Sequence, residues 1–247
     1  MNTNMQRFGA CCAFLSMGLF FLGLISAGFL PALAPSLTPN ELAEVYKSNH
    51  TGILLGGLLI VVAAGFCGPF VAEIFLQLRR MEGARPIGAF GQLASGIANI
   101  QFFIFPGLLF VVVAYRPDRP VDSLSSLNDL AWIVTMLPWT VGAMQCVCIG
   151  WSILAHGNAA TPYPRWLGYF NIWIAIGMAS SSVIPFFKVG PFAWNGVVGF
   201  WIPAAVFGLW ELVMGIMTLR AVNHDTLDEH MSEAGAKGRD SVIAQSV

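Results

Sequence analysis

Long apolar stretches alternate with short polar ones along this chain. Six mainly apolar windows stand out, at about 8–33, 52–77, 88–114, 128–154, 166–187 and 197–219. Each is long enough for a helix to cross a hydrocarbon layer of roughly 30 Å. A bilayer core holds no water to satisfy the backbone, so continuous runs of this length predict helices. The pattern predicts an all-α polytopic transmembrane helix bundle of about six spans, a single domain over residues 1–220. A polar tail follows over 221–247, expected to fray from a helix into partial disorder. Ala32-Leu33-Ala34 resembles a signal-peptidase site, but the apolar run before it is too long for a signal peptide, so the first window reads as a retained span.

Five spans carry a proline away from their ends: Pro69, Pro106, Pro138, Pro185 and Pro203. Proline is tolerated in membrane helices and usually kinks them, and kinks open cavities. The polar connections are short, the longest far-side ones being 34–51 and 116–127, so no soluble catalytic domain hangs from the bundle. In the second, Asp122 is expected to cap a short turn before the fourth span starts near Asn128-Asp129.

Basic residues orient the bundle. With the N-terminus inside, Arg7, Arg79, Arg80, Arg85, Arg165, Arg220, Lys237 and Arg239 fall on the cytoplasmic face, and Lys47, Arg116, Arg119 and Lys188 on the other. The imbalance favours both termini in the cytoplasm.

Composition agrees with the pattern. Apolar residues make up 56% of the 247 positions, charged residues only 10%, and mean hydropathy is +0.70. A soluble domain carries about a quarter charged residues. The net charge of -1 supplies no basic field for phosphate backbones, so nucleic acid is not an expected partner. The cysteines, Cys11, Cys12, Cys67, Cys146 and Cys148, all lie in apolar runs and read as small hydrophobes rather than a disulfide or metal framework. His50, His156, His224 and His230 lie in loops, at span ends or in the tail, which argues against axial haem ligation, and no metal or other cofactor is expected. The signatures of zinc peptidases, serine hydrolases and nucleotide enzymes are missing too.

A carboxylate inside a bilayer costs roughly 2.5–3.5 kcal/mol on insertion scales, which makes it a functional candidate. Two qualify. Glu73 lies within two turns of Arg79-Arg80 and is placed to snorkel or pair there. Glu211 precedes Arg220 by nine residues, about 13 Å of helix, too deep for snorkelling. Its helical neighbours Ala204, Gly208 and Gly215 form a small-residue stripe, which turns it toward other helices. There it serves as a proton or ligand site, or as an interhelical hydrogen-bond acceptor. Gln92, Ser95, Gly96 and Asn99 share a face of the third span. Gly168, Asn171, Ala175 and Ser182 are in register on the fifth, and the fourth offers Gln145, Trp132 and Trp139. If those faces converge, amides and hydroxyls surround one carboxylate. The aromatic segment Phe186–Gly196, with Lys188 and a Gly-Pro turn, reads as an interfacial hairpin or an aromatic belt.

Tyr163-Pro164-Arg165-Trp166-Leu167-Gly168-Tyr169-Phe170-Asn171-Ile172-Trp173, the Phe186–Gly196 segment and Gln77-Leu78-Arg79-Arg80-Met81-Glu82-Gly83 resemble a group of uncharacterised bacterial polytopic membrane proteins. The resemblance implies a bacterial inner membrane and brings no activity or cofactor. Three functions remain open. A small-molecule permease or binding protein would line its pathway with Glu211, Gln92, Asn99 and Asn171. An accessory or scaffold subunit would use the same stripes to hold helices together, or to dock a membrane-protein partner or a second copy. An intramembrane enzyme stands third, because no paired acid and base is evident.

Overall fold

The computed structural model describes residues 3–156 and 162–245, with side chains described as far as His224. Six stretches are helical, long and apolar enough to cross a membrane: Thr3–Ala27, His50–Glu82, Ile87–Tyr115, Val121–His156, Arg165–Phe186 and Val197–His224. They form an all-helical bundle with no strand among the described residues. The even number of spans brings both ends of the chain to one face, here the terminal face; the opposite one is the far face.

The first span is the single helix α1 (Thr3–Ala27), which ends where Gly28 takes a positive φ of 69°. A short far-face helix follows, α2 (Pro39–Ser48), and then α3 (His50–Glu82). Where a loop was expected, α2 is nucleated by a capping box. The Thr38 hydroxyl accepts from the Glu41 backbone N–H, and the Glu41 carboxylate accepts from the Thr38 backbone. The Thr38 backbone N–H and hydroxyl, both donating to it, hold the exposed Glu41 carboxyl below its usual range. Tyr46 then ties α2 to the fourth span by donating to Asn128 Oδ1 at 3.0 Å.

Later spans are discontinuous. The third is α4 (Ile87–Asn99) and α5 (Gln101–Tyr115), separated at Ile100 by tight bonds from Ile100 to Ile97 and from Phe103 to Ile100. The fourth is α6 (Val121–Met136) and α7 (Trp139–His156), parted at Leu137-Pro138, where proline has no N–H to continue the ladder. The fifth runs as α8 (Arg165–Met178) and tightens into a 3₁₀ segment, Ala179–Phe186. The sixth opens with one π turn, Val197–Trp201, before α9 (Ile202–Gln245).

Helix α3 runs through Pro69 and α5 through Pro106 uninterrupted, so two of the five prolines lie inside continuous helix. The fourth span starts at Val121 rather than near Asn128. Asp122 sits in the first turn of α6, and the Ser125 and Ser126 hydroxyls donate to the carbonyls of Val121 and Asp122 four residues back. Those serines extend the helix instead of a turn.

Glycine pairs let backbones meet. A side chain at Gly23 of α1 would come within 2.7 Å of the Gly56 carbonyl of α3. Gly57 of α3 and Gly107 of α5 stand in the same 2.7 Å relation, and a side chain at Gly150 of α7 would come within 2.9 Å of the Gly168 carbonyl of α8. Such seams suit membrane bundles, where no hydrophobic force drives helices together. α4 also lies against α3 and α7, and α9 closes the bundle against α1 and α8. The outer surface is apolar, with Leu58, Trp151, Ile176 and Leu212 exposed, as contact with lipid chains requires.

Candidate functional site

The interruptions in the last four spans gather around one chamber. Asn99 at the end of α4, Pro138 between α6 and α7, Ser181 in the 3₁₀ segment and Pro203 at the start of α9 all line it. Aromatic rings complete the wall: Phe20 and Phe21 from α1, Phe102, Trp132, Trp139, Phe200 and Phe207. Phe20, Phe102, Phe103 and Phe207 stack among themselves with centroids 5.0 to 6.4 Å apart, mostly edge-on or tilted, the favoured geometries for aromatic pairs. The chamber encloses about 70 Å³. The 3₁₀ segment also resets the register of the fifth span. Met178, Ser181 and Ile184, three apart, are buried, and Ser182 faces out, because three residues make one 3₁₀ turn.

A smaller cavity lies deeper, bounded by Cys67, Phe70 and Val71 of α3, Gly96 and Asn99 of α4, Gln145 of α7, and Trp210 and Glu211 of α9. Its volume is about 10 Å³, enough for one water. Glu211 is 4% exposed and Gln145 2% exposed. Glu211 Oε2 and Gln145 Nε2 are both buried without a hydrogen-bond partner. An acceptor and a donor thus share a water-sized space in the bundle interior. Gly96 makes this possible, since a Cβ there would meet Gln145 Nε2 at 2.8 Å and the Val71 side chain at 2.6 Å. Gly215 lies one turn beyond Glu211 on the same face, and a side chain there would touch Ala13 of α1 at 3.0 Å.

Of the residues singled out by sequence, Glu211 and Asn99 line this cavity together. Gln92 stands behind its α3 wall, where its amide donates to the Val71 carbonyl at 3.3 Å. Asn171 supports another wall: its Oδ1 accepts from Trp210 Nε1 at 2.9 Å, and its Nδ2 donates to the Leu167 carbonyl at 2.9 Å. Glu73 lies elsewhere. It is buried between α1 and α3, accepting from Gln77 Nε2 at 2.8 Å and from Gln6 Nε2 at 3.4 Å, an interhelical amide seam rather than a snorkelling side chain.

Some structural residues escaped the sequence reading. Glu82 ends α3 and turns onto the start of α4, where it accepts from the Gly88 and Ala89 backbone at 3.1 and 3.2 Å and from the Ser152 hydroxyl of α7. A carboxylate at a helix N-terminus satisfies orphan N–H groups and meets the positive end of the dipole. Thr218 lies two turns beyond Glu211 on α9, and its hydroxyl bonds Tyr163 at 2.9 Å near the terminal face. Its seven-residue spacing from Glu211 was the available signal.

All five cysteines are free thiols. Cys12, Cys67 and Cys146 are buried, but Cys11 and Cys148 are only half-buried. No group of His, Cys, Asp and Glu fit to hold a metal occurs among the described residues. At the far face, Trp194 pins the segment after the fifth span by donating to the Leu33 carbonyl at 2.8 Å, while Phe186 and Val189 project outward on either side of Lys188. The side chains of Asp225, Asp228, Glu229, His230, Glu233, Lys237, Arg239 and Asp240 lie outside those described.

Fold and surface together define a polytopic α-helical membrane protein. No family model, curated protein or solved structure matches the chain.

Proposed function

We propose that this multi-pass membrane protein is a small-molecule permease of a bacterial inner membrane, with both termini in the cytoplasm. One observation carries the reading: Asn99, at the break in the third span, lines both the aromatic chamber and the Glu211 cavity. One amide therefore stands between the aromatic chamber and a buried carboxyl whose Oε2 has no hydrogen-bond partner. Helix irregularities that meet at depth beside a cavity are a feature shared with many transporter binding sites. Beyond Glu211, the Tyr163–Thr218 pair continues the polar positions toward the terminal face. The resemblance to bacterial polytopic proteins supports the inner membrane, and the excess of Arg and Lys in the terminal-face connections supports the orientation.

The reading is tested by uptake of radiolabelled small amines, alcohols, amides and carboxylic acids into proteoliposomes. For at least one class the wild type is expected to move solute faster than empty vesicles. That excess should fall about tenfold or more in Glu211→Gln and in Asn99→Leu. If wild type, variants and empty vesicles coincide across the panel, the permease falls. A membrane protein that co-purifies with the chain would then favour an accessory or scaffold subunit.

A further inference from the structure

The two cavities differ in chemistry and share Asn99 in their walls. The outer one is walled by aromatic rings and carries no ionisable side chain. The inner one holds a single carboxyl, 4% exposed, whose Oε2 has no partner. No Lys, Arg or His lines either space among the described residues. A buried carboxylate usually meets a cation or several donors, because leaving a charge unpaired in a low-dielectric interior is costly. The described residues supply no cation here, so a ligand is free to bring one. Aromatic faces close to that carboxyl stabilise a cation further through their quadrupoles.

Spacing narrows the ligand. Phe207 lines the chamber and Glu211 lines the inner cavity, four residues apart on α9 and so on one face, about 6 Å along the axis. A ring in the chamber and a charged nitrogen at Glu211 are thus separated by about the length of a two-carbon arm. The chamber's 70 Å³ is roughly half the ~150 Å³ that encloses benzene, so seating a ring there requires the lining side chains to give way.

We infer that the chamber and the Glu211 cavity together form a binding site for lipophilic amines of the arylalkylamine class, the ring held among the aromatic side chains and the ammonium hydrogen-bonded to Glu211. Asn99 lies between the two ends and is placed to hydrogen-bond the arm or to swing aside. Gln145 Nε2, the unpartnered donor in the inner cavity, orients the carboxylate that receives the ammonium. This rests on the permease reading for its pathway, but it concerns binding and is tested without flux.

The probe is phenethylamine, with 2-phenylethanol as its neutral isostere and 3-phenylpropionate as an anion of similar shape. Binding is measured by calorimetry on the full chain in lipid nanodiscs, with empty nanodiscs subtracted. Wild type should bind phenethylamine saturably and at least about tenfold tighter than 2-phenylethanol, with no saturable binding of 3-phenylpropionate. Glu211→Gln, which keeps size and hydrogen bonding, should remove that preference for the amine. Phe207→Leu should weaken both probes together. If the alcohol binds wild type as well as the amine does, or the amine binds Glu211→Gln as well as wild type, the inference is overturned. Amine binding without solute flux would sink the permease and keep the site; flux without amine binding would do the reverse.

Discussion

Around Glu211, residues that never touch the cavity decide its shape. Asn171 accepts from the Trp210 indole and donates to its own helix and toward Met214, so it fixes the residue next to Glu211. Trp210 in turn packs edge-on against Phe70, another cavity wall, with centroids 6.1 Å apart. Asn171→Leu would strand a buried indole N–H, which costs about 1–3 kcal/mol. A drop in the unfolding midpoint in detergent should report it. Adding Trp210→Phe, which removes the stranded donor, should recover part of the loss. If the double variant loses as much as the two single variants summed, the two side chains are not coupled and Asn171 does not position α9. Sequence pointed to Asn171 through its place on an inward face, but its partner is 39 residues away and no local spacing relates them. Glu211 was legible for the opposite reason. Its depth follows from counting residues to Arg220, and the Gly208–Gly215 stripe told which way it turned.

At the scale of helices, the glycine seams make a sharper claim than apolar composition does. A methyl group at Gly56 would run into the Gly23 carbonyl and lie 2.9 Å from Ala27 Cβ, whereas one at Gly65, nine residues along the same helix, meets nothing within 4 Å. Gly56→Ala should therefore destabilise the bundle by about 1–3 kcal/mol, the usual range for overpacking. Gly65→Ala should be neutral or gain about 0.5–1 kcal/mol from helix propensity. Denaturation in mixed micelles compares the two, and equal effects would mean that α1 and α3 do not cross at Gly23–Gly56. Hydropathy predicted where these helices lie but could not say where they break. The third span parts at Ile100, beside Asn99, rather than at Pro106, and Asn99 packs against Gly142 of α7, where a Cβ would lie 3.2 Å from Asn99 Oδ1. That accommodation depends on another span. Helix α2, by contrast, was fully written in Thr38-Pro39-Asn40-Glu41, a capping box with proline in the first turn, and went unread among the polar residues of a presumed loop. Glu82 was hidden because its cap forms only after Gly83–Pro86 reverse the chain.

For the whole molecule, depth and sidedness become one question. Helix α9 enters from the far face, lines the chamber with Pro203 and Phe207, and reaches Glu211 eight residues past Pro203, about 12 Å further in. The chamber thus belongs to the far-face half of the bundle and the carboxyl to its middle. Orientation in the membrane decides which solution the chamber serves. With both termini cytoplasmic, exposed Glu44 and Asp122 face outside, and exposed Ala84, beside the Arg79-Arg80 cluster, faces inside. Single cysteines at these three positions test it with a charged, membrane-impermeant maleimide, because the native thiols sit within the spans. In intact cells Glu44→Cys and Asp122→Cys should react, and Ala84→Cys only after the membrane is opened. The reverse pattern would turn the protein over, and reaction of Ala84→Cys together with the other two would break the six-span arrangement itself. Under the expected pattern the aromatic chamber lies toward the outer solution, and Glu211 lies between it and the terminal face.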